Sequence, residues 1–371
     1  GAVDSTYATG DGFWKLEIQT PMASFDPQTV MVSTSTDTIL FKNVLVGEVW
    51  LLSGQSNMAF RLRFDDNEVS EIANASTPSL RLFKVPSITA AEPRENIQQV
   101  QWQACSSLSV KDFSAVAYYY GRALSKSLPN TPIGLISAAF GSATIEAFMS
   151  KEALLSKGFL ADHYYNYTNK KESKNPAWCY NAMIYPLQPY TIRGVVWYQG
   201  ESNNGEGMLY HEKMKALILG WRKVFDNPEM PFHFVQLAPY KYNRPEALPG
   251  IWEAQLKTLS IKNTGMAVTV DIGNVKDIHP RNKQDVGHRL ALWALRDVAK
   301  RDVVVSGPLF REMKIEAGKI RLAFDHTGGG LMIGKRKQGL EPTHEDKEGT
   351  LKRFAIAGKD KAWHWADAVI D

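Results

Sequence analysis

Five nearly continuous apolar runs, separated by segments of helical periodicity, constrain the fold of this chain more than any other feature. Such runs are typical of parallel strands that helices cover on both faces. The runs lie at residues 44–52, 132–139, 193–199, 231–238 and 265–272. Because strand and helix patterns alternate along residues 44–305, the sequence predicts an α/β doubly wound domain.

Three of the intervening segments place their apolar residues on one face of a helix. In residues 113–128, for example, Val116, Tyr120 and Leu124 recur at helical spacing. The segments 206–225 and 282–300 repeat the pattern. We expect these helices to cover the predicted sheet.

The two ends of the chain have a different pattern, typical of antiparallel strands with one solvent-exposed face. The predicted strand regions are 12–20, 29–44, 311–325 and 353–358. We therefore predict three parts, namely an N-terminal β accessory segment (1–43), the α/β domain (44–305) and a C-terminal β accessory segment (306–371). Both ends would form one small all-β region. Because the last residues stop in the middle of a strand pattern, we expect the C-terminal segment to be truncated.

Composition argues against several classes of protein. The 371 residues are 44% hydrophobic and 22% charged, as in a folded soluble protein. No apolar run approaches the roughly 20 residues of a transmembrane helix. The net charge of +4, without a long basic tract, argues against nucleic-acid binding. The only two cysteines, Cys105 and Cys179, cannot form a four-cysteine metal site.

Four of the predicted strands end in small or polar residues that suit acyl transfer. The first strand leads through Ser-Gly-Gln to a serine on a turn, where an apolar run stops abruptly. In chain order the four ends present Ser56, then Gly141, then Gln199 with Glu201, then Asp277 with His279. The carboxyl ends of parallel strands share one edge of a sheet, where ligands bind. We therefore expect these residues to meet in one cleft.

These residue types match the parts of a serine hydrolase. A serine hydroxyl is a weak nucleophile until a base removes its proton, and histidine has the right pKa for that role. A carboxylate such as Asp277 can orient the imidazole of His279. Backbone N–H groups, which a glycine such as Gly141 exposes well, and an amide such as Gln199 can stabilise an oxyanion.

Each residue also has a simpler structural explanation. Ser56 could cap a helix, Gly141 could be an ordinary loop glycine and Gln199 could end a strand. His279, which precedes a proline, could be a turn residue, and Glu201 could support a loop. The shared topological position of all of them favours the catalytic interpretation.

Four segments resemble the sialate O-acetylesterase family, a branch of the SGNH hydrolases within the GDSL-type esterases. They are GEVWLLSGQSNM (47–58), GLISAAFGSATIEAF (134–148), VVWYQGESN (195–203) and DIHPRNKQDVGHRLA (277–291). The resemblance covers roughly residues 10–360. It implies a flavodoxin-like SGNH hydrolase domain with a β-sandwich-like accessory region. It also implies removal of O-acetyl groups from sugars, with sialic acids as the main candidate and xylan or another acetylated glycan as the alternative.

The resemblance also implies roles for individual residues. Ser56 matches the nucleophile and His279 matches the base. The N–H groups of Ser56 and Gly141, together with the amide of Gln199, match the oxyanion hole. Asp277 is the expected third member of the triad. It lies two residues before His279, whereas many SGNH enzymes have Asp-x-x-His, so a backbone carbonyl is the alternative partner of the imidazole.

Four further residues are expected to bind substrate. They are Gln55, Asn57, Glu201 and Arg281. Arg281 and Lys283 directly follow the predicted base, and at the rim of the cleft they could attract the carboxylate of a sialic acid. Alternatively, both are surface charges at the start of a helix or pair with acidic residues.

The expected partner is an acetylated sugar or glycan, with no nucleic acid, no membrane span, no cofactor and no metal. HEDKE (344–348) is not a His-Glu-x-x-His zinc motif, and HTGGGL (326–331) lacks the lysine of a phosphate-binding loop. The resemblance implies a periplasmic or secreted enzyme whose signal peptide has been removed. An alternative from another class is a glycan-binding protein that retains the fold without catalysis. The presence of both Ser56 and His279 argues against it.

Overall fold

The computed structural model describes residues 3–97, 100–336 and 339–371. The chain divides into two compact units, one ending at Val303 and the other spanning Val304–Asp371. The first unit begins with an antiparallel hairpin of β1 (Ser24–Ser33) and β2 (Thr38–Val46), as predicted from residues 29–44. The division into 1–43, 44–305 and 306–371 stays a prediction.

The predicted strand at residues 12–20 is wrong, because the described backbone forms no strand there. Its alternating apolar residues include Phe13 and Ile18, which are both exposed. A strand is stabilised only where a neighbouring strand supplies hydrogen-bond partners. Among the strands of the described residues, none pairs with this segment.

Seven strands form the central sheet within the described residues. They are β3 (Glu48–Gly54), β4 (Ser76–Lys84), β5 (Gln103–Ser106), β6 (Ile133–Ala139), β7 (Gly194–Tyr198), β8 (Phe232–Val235) and β9 (Thr264–Ala267). Their order is β5-β4-β6-β3-β7-β8-β9, and all neighbours are parallel except β4 and β5. Five adjacent strands of this sheet, β6-β3-β7-β8-β9, have the flavodoxin-like arrangement 2-1-3-4-5 when they are renumbered by their order along the chain. This arrangement confirms the predicted fold class.

Helices cover the sheet on both faces. Those in the described residues are α1 (Ser56–Ala59), α2 (Glu68–Ala73), α3 (Ser107–Val110), α4 (Ala115–Ser127), α5 (Lys151–Leu155), α6 (Gly158–Asn166), α7 (Leu209–Val224), α8 (Ala247–Thr258) and α9 (Lys283–Asp297). A π-helix spans Tyr180–Ile184, and short 3-10 helices span Leu62–Phe64, Ile145–Phe148, Glu172–Lys174, Tyr185–Leu187 and Glu201–Asn203. The three predicted helices correspond to α4, α7 and α9.

Successive residues of β3 point to opposite faces of the sheet, and both faces are buried. Leu51 packs in the apolar cluster that contains Trp221 of α7. Trp50 packs in the other cluster, with Tyr120 of α4 and Leu290 of α9. Full burial of a leucine side chain such as that of Leu51 stabilises the fold by roughly 1.5–3 kcal/mol. Two covered faces therefore explain why the strand sequences are continuously apolar.

The second unit consists of antiparallel strand pairs. They are β10 (Leu309–Glu316) with β11 (Lys319–Asp325), β12 (Gly334–Lys335) with β13 (His344–Glu345), and β14 (Ala355–Ala357) with β15 (Trp363–Trp365). The first pair confirms the strand prediction for residues 311–325, and β14 lies within the predicted segment 353–358. Across the parts of the chain that are described, no helix has the length and apolar character needed to cross a membrane.

Candidate active site

Ser56 lies on a tight turn directly after β3. The last residue of that strand, Gly54, has a φ of +140°, and a Cβ atom there would lie 2.1 Å from the carbonyl oxygen of Tyr198. Only glycine fits this backbone. The next residue, Gln55, donates its N–H to the same carbonyl oxygen at 3.0 Å. The chain therefore turns sharply against β7 and presents Ser56 as the first residue of α1.

The central strands end in register at this edge of the sheet. Gly54 is paired with Ala139 of β6 and with Tyr198 of β7. Ser56 and Gly141 each follow their strand two residues beyond this register position. The predicted meeting of these strand ends is therefore observed.

His279 approaches Ser56 from the loop between β9 and α9. Its Nε2 atom lies 2.8 Å from the Oγ atom of Ser56. Partial burial lowers the pKa of His279 from its ordinary value, the charge of Lys283 lowers it further, and Asp277 acts in the opposite direction. The imidazole is therefore mainly neutral at pH 7 and can accept the proton of the serine hydroxyl.

Asp277 contacts the backbone of the same loop. Its Oδ1 atom accepts the backbone N–H of His279 at 2.9 Å. Its own N–H donates to the carbonyl oxygen of Asn274 at 3.0 Å. Within the described residues, no hydrogen bond joins the Asp277 carboxylate to the imidazole ring. Its role as the third member of a triad stays a prediction.

Two of the predicted oxyanion donors are available. Neither the N–H of Ser56 nor that of Gly141 has an acceptor among the described residues. Gly141 is exposed, and a Cβ atom at this position would meet no other atom within 4 Å. Both N–H groups can therefore donate to a bound ligand.

The third predicted donor, Gln199, is placed differently. Its side chain is fully buried, and its Nε2 atom donates to the Ala143 carbonyl at 3.2 Å and to Asn203 Oδ1 at 2.7 Å. Its Oε1 atom accepts the hydroxyl of Tyr210 at 2.7 Å. Both amide protons are thus used inside the protein. This geometry argues against the expected oxyanion contact and for a role in bracing the turn after β7.

Three of the predicted substrate-binding residues are also buried. Gln55 accepts the N–H of Ser202 at 3.1 Å, and Asn57 donates to Glu201 and, at 2.8 Å, to the carbonyl oxygen of Ile278. Burial raises the pKa of Glu201, and the Asn57 hydrogen bond and the Lys283 charge oppose that effect. These contacts argue against direct contact with a sugar and for a supporting role.

Arg281 and Lys283 do not form the expected cationic rim. The exposed guanidinium of Arg281 lies 3.2 Å from Glu68 and 3.5 Å from Asp66, so its charge is already compensated. Lys283 is 0% exposed, which contradicts its predicted position at the surface. Its Nζ atom lies 2.5 Å from Asn57 Oδ1.

Lys283 is therefore a site residue whose position the sequence interpretation missed. Its Nζ atom lies 4.9 Å from the ring centroid of Phe60 and 5.4 Å from that of Tyr198. Burial lowers the pKa of the ammonium group to about 7. Spacing could have revealed this position, because Lys283 shares the buried face of α9 with Val286 and Leu290. Lysine is usually solvated, however, which favoured the surface interpretation.

The described residues contain no group of three or more His, Cys, Asp or Glu side chains arranged to hold a metal ion. The site consists instead of a serine and a histidine at the carboxyl edge of a flavodoxin-like sheet. That combination defines a hydrolase fold of the SGNH type.

Residues 46–296 match the family model described as "Carbohydrate esterase, sialic acid-specific acetylesterase". Because this match covers more than half of the chain, the protein belongs to that family of carbohydrate esterases. The family resemblance seen in the sequence motifs is thereby confirmed.

Individual relatives agree with this placement. Human sialate O-acetylesterase is 34% identical over 333 residues, which cover 81% of this chain and 63% of the human protein. The mouse sialate O-acetylesterase is 32% identical over 367 residues, covering 82% of this chain and 68% of the mouse protein. The chain thus spans less than two thirds of the human relative and slightly more than two thirds of the mouse relative.

A solved structure gives the same result for the fold. The crystal structure of a carbohydrate acetylesterase from Xanthomonas citri is 34% identical to this chain, with a TM-score of 0.84. The similarity covers 97% of this chain and 78% of the Xanthomonas protein. The similarity therefore extends over nearly the whole of this chain.

Proposed function

We propose that this protein is a serine carbohydrate esterase that removes O-acetyl groups from sugars. The observation that carries the proposal is the 2.8 Å contact between Ser56 Oγ and His279 Nε2 in a chain of the acetylesterase family. A glycan-binding protein without catalysis would not need a serine and a base within hydrogen-bond distance. We therefore assign Ser56 as the nucleophile and His279 as the general base.

The proposed reaction has two halves. In the first, His279 accepts the hydroxyl proton while Ser56 Oγ bonds to the acetyl carbonyl carbon, and the N–H groups of Ser56 and Gly141 stabilise the oxyanion. The bond to the sugar oxygen then breaks, and His279 donates its proton to that oxygen. In the second half, His279 deprotonates a water molecule whose oxygen bonds to the acetyl carbon; the bond to Ser56 Oγ then breaks, His279 returns the proton to Oγ, and acetate is released. Asp277 is the proposed third member, acting on the imidazole through its charge and on the loop through the backbone.

Sialic acids are the proposed substrate class. The description of the family and the names of the human and mouse relatives support this choice. The Xanthomonas relative carries the broader name carbohydrate acetylesterase, so acetyl xylan or another neutral glycan is the second candidate. Arg281 is paired with Glu68 and Asp66, so the proposed preference for sialic acids depends on the family and not on this residue.

An extracytoplasmic location, either periplasmic or secreted, is proposed from the same resemblance. Cys105 and Cys179 are both free and buried, so the fold does not depend on a disulfide between them. Fractionation of the host cells, followed by detection of the protein in each fraction, tests this location.

The function is tested by measuring acetate released from three substrates: O-acetylated N-acetylneuraminic acid, acetylated xylan and an aryl acetate. We expect acetate release from the sialic acid to have a higher kcat/KM than release from xylan. We also expect release from the sialic acid to disappear in Ser56→Ala. Faster release from xylan would identify the neutral-glycan alternative. Release from all three substrates at the level of Ser56→Ala would refute the esterase function and favour a binding protein.

A further inference from the structure

Asn57, the residue after the proposed nucleophile, is fully buried and bonded to three separate segments of the chain. Its Nδ2 atom donates to Glu201 Oε1 after β7 and, at 2.8 Å, to the carbonyl oxygen of Ile278. Its Oδ1 atom accepts Nζ of Lys283, at the start of α9, at 2.5 Å. A side-chain amide has two N–H groups and one carbonyl. Each of these groups is used here.

One of these contacts links the two halves of the proposed catalytic pair. Ser56 is the neighbour of Asn57 in the chain, and His279 is the neighbour of Ile278. The hydrogen bond from Asn57 to Ile278 therefore ties the turn of the nucleophile to the loop of the base. It spans 221 residues of sequence, and it lies one residue from each reacting side chain.

The other two contacts determine how the amide is oriented. In its ammonium form Lys283 can only donate, so it fixes the side of the amide that carries the carbonyl oxygen. Glu201 accepts from the opposite side, and its other oxygen, Oε2, is buried without a hydrogen-bond partner among the described residues. Turning the amide over would place its oxygen against Glu201 and the Ile278 carbonyl, and its N–H groups against the ammonium. This arrangement would lose all three bonds.

Lys283 is itself held in place by its surroundings. Its backbone N–H donates to Asp65 Oδ2 at 3.0 Å, and the other oxygen of Asp65 accepts the hydroxyl of Tyr119 at 2.6 Å. Its ammonium group lies over the ring of Phe60, which is two residues after Met58 on the turn that carries the nucleophile. The lysine therefore joins the start of α9 to the same turn that carries Ser56.

We propose that Asn57, oriented by Lys283 and Glu201, is a positioning residue that sets the distance between Ser56 and His279. Its catalytic meaning rests on the proposed esterase function. Because Asn57 is buried, it acts on the reaction through the two loops and not by touching the sugar. Misplacement of reacting groups by about 1 Å can cost roughly 100-fold in rate.

The variants Asn57→Ala and Lys283→Met test this role. We expect each to lower kcat on an aryl acetate by about 100-fold while KM changes by less than about threefold, because positioning of the base affects the chemical step more than substrate binding. In a crystal structure of Asn57→Ala, the distance between Ser56 Oγ and His279 Nε2 should exceed about 3.2 Å, the upper limit of an ordinary hydrogen bond. A kcat within about threefold of the parent, or an unchanged distance, overturns the proposal.

Two controls make the result specific. Arg222→Met removes another buried cation, one that donates to the Met230 and Lys262 carbonyls at the opposite edge of the sheet, and it should lower stability without lowering kcat. If Asn57→Ala does not fold, Lys283→Met carries the test, since methionine fills much of the same volume. If Ser56→Ala leaves acetate release unchanged, the esterase function fails. The distance measured in the crystal still decides whether Asn57 positions the pair.

Discussion

Ser56 Oγ and His279 Nε2 lie 2.8 Å apart, although 223 positions separate the two residues in the sequence. Ser56 follows β3 near the middle of the sheet, and His279 lies on the loop after β9 at its edge. The contact therefore requires the loop between β9 and α9 to cross the carboxyl edge of the sheet. It is the basis of the proposed chemistry and of the first prediction.

Removal of either member of this pair should abolish most of the activity. We expect Ser56→Ala and His279→Ala each to lower kcat on an aryl acetate by at least roughly 1000-fold, with little further loss in the double variant, because the two side chains act as a unit. Steady-state kinetics checks the prediction. Near-parental turnover in either single variant would contradict the assignment.

Two substitutions at Asp277 separate its possible roles. Asparagine can still accept the backbone N–H of His279 but has no charge, whereas alanine loses both features. Because the observed hydrogen bond is to the backbone, we expect Asp277→Ala to lower kcat/KM by more than about tenfold and Asp277→Asn to lose less. Equal losses in both variants would show that the negative charge of Asp277 near the imidazole matters more than its hydrogen bond to the backbone, as in a standard triad.

The turn that presents the nucleophile should not tolerate a side chain at Gly54. Gly54→Ala should destabilise the protein by about 2 kcal/mol or more, because its φ is positive and its Cβ would overlap a backbone oxygen. Thermal unfolding should show a fall in Tm of several degrees. Gly141→Ala is the matched control, since its Cβ would meet open space, and its Tm should stay close to that of the parent. Equal Tm values for both variants would contradict this account of the turn.

The pH dependence of kcat/KM should report the environment of His279. Burial and the Lys283 charge lower its pKa, so the rise in activity with pH should have an apparent pKa below the ordinary value near 6.5. With a pKa of about 7, Lys283 is mainly charged in that range. Lys283→Met removes the positive charge, so the imidazole becomes easier to protonate and the rise should move to higher pH. A shift to lower pH would be inconsistent with this geometry.

Arg281 is expected to affect anionic and neutral substrates equally. Its guanidinium is already paired with Glu68 and Asp66, so it offers little net charge to a sialic acid. We therefore expect Arg281→Ala to change kcat/KM on an acetylated sialic acid and on an acetylated xylose by the same factor, within about threefold. A selective loss on the sialic acid, which shrinks as salt is added, would instead support the role expected from the sequence, in which Arg281 binds the carboxylate of the sugar.

The main elements of the fold followed from apolar periodicity, but elements without a clean pattern did not. β5 is an edge strand of the sheet and β4 is its neighbour, and both are only partly buried, so their sequences are not continuously apolar. α8 contains Pro249 and Gly250 in its first turn, a position where proline is tolerated although it usually marks the end of a helix.

The same limit applies to the site. The meeting of Ser56 with the strand end that carries Gly141 could be predicted, because parallel strands share a carboxyl edge. The contact of Gln199 with the Ala143 carbonyl and that of Lys283 with Asn57 could not, because each joins segments that are distant in sequence. Residue type alone favoured the exposed interpretation in each case.

The burial of the polar residues that surround Ser56 has a consequence for how the proposed site can be altered. Gln55, Asn57, Gln199 and Glu201 all bond to protein groups, so substitutions there alter the scaffold. Gly141 and Ser142, on the turn after β6, are exposed and remain accessible to a bound ligand. Libraries designed to change substrate preference should therefore vary exposed loop residues such as Ser142 and leave the buried amides and Gly141 untouched.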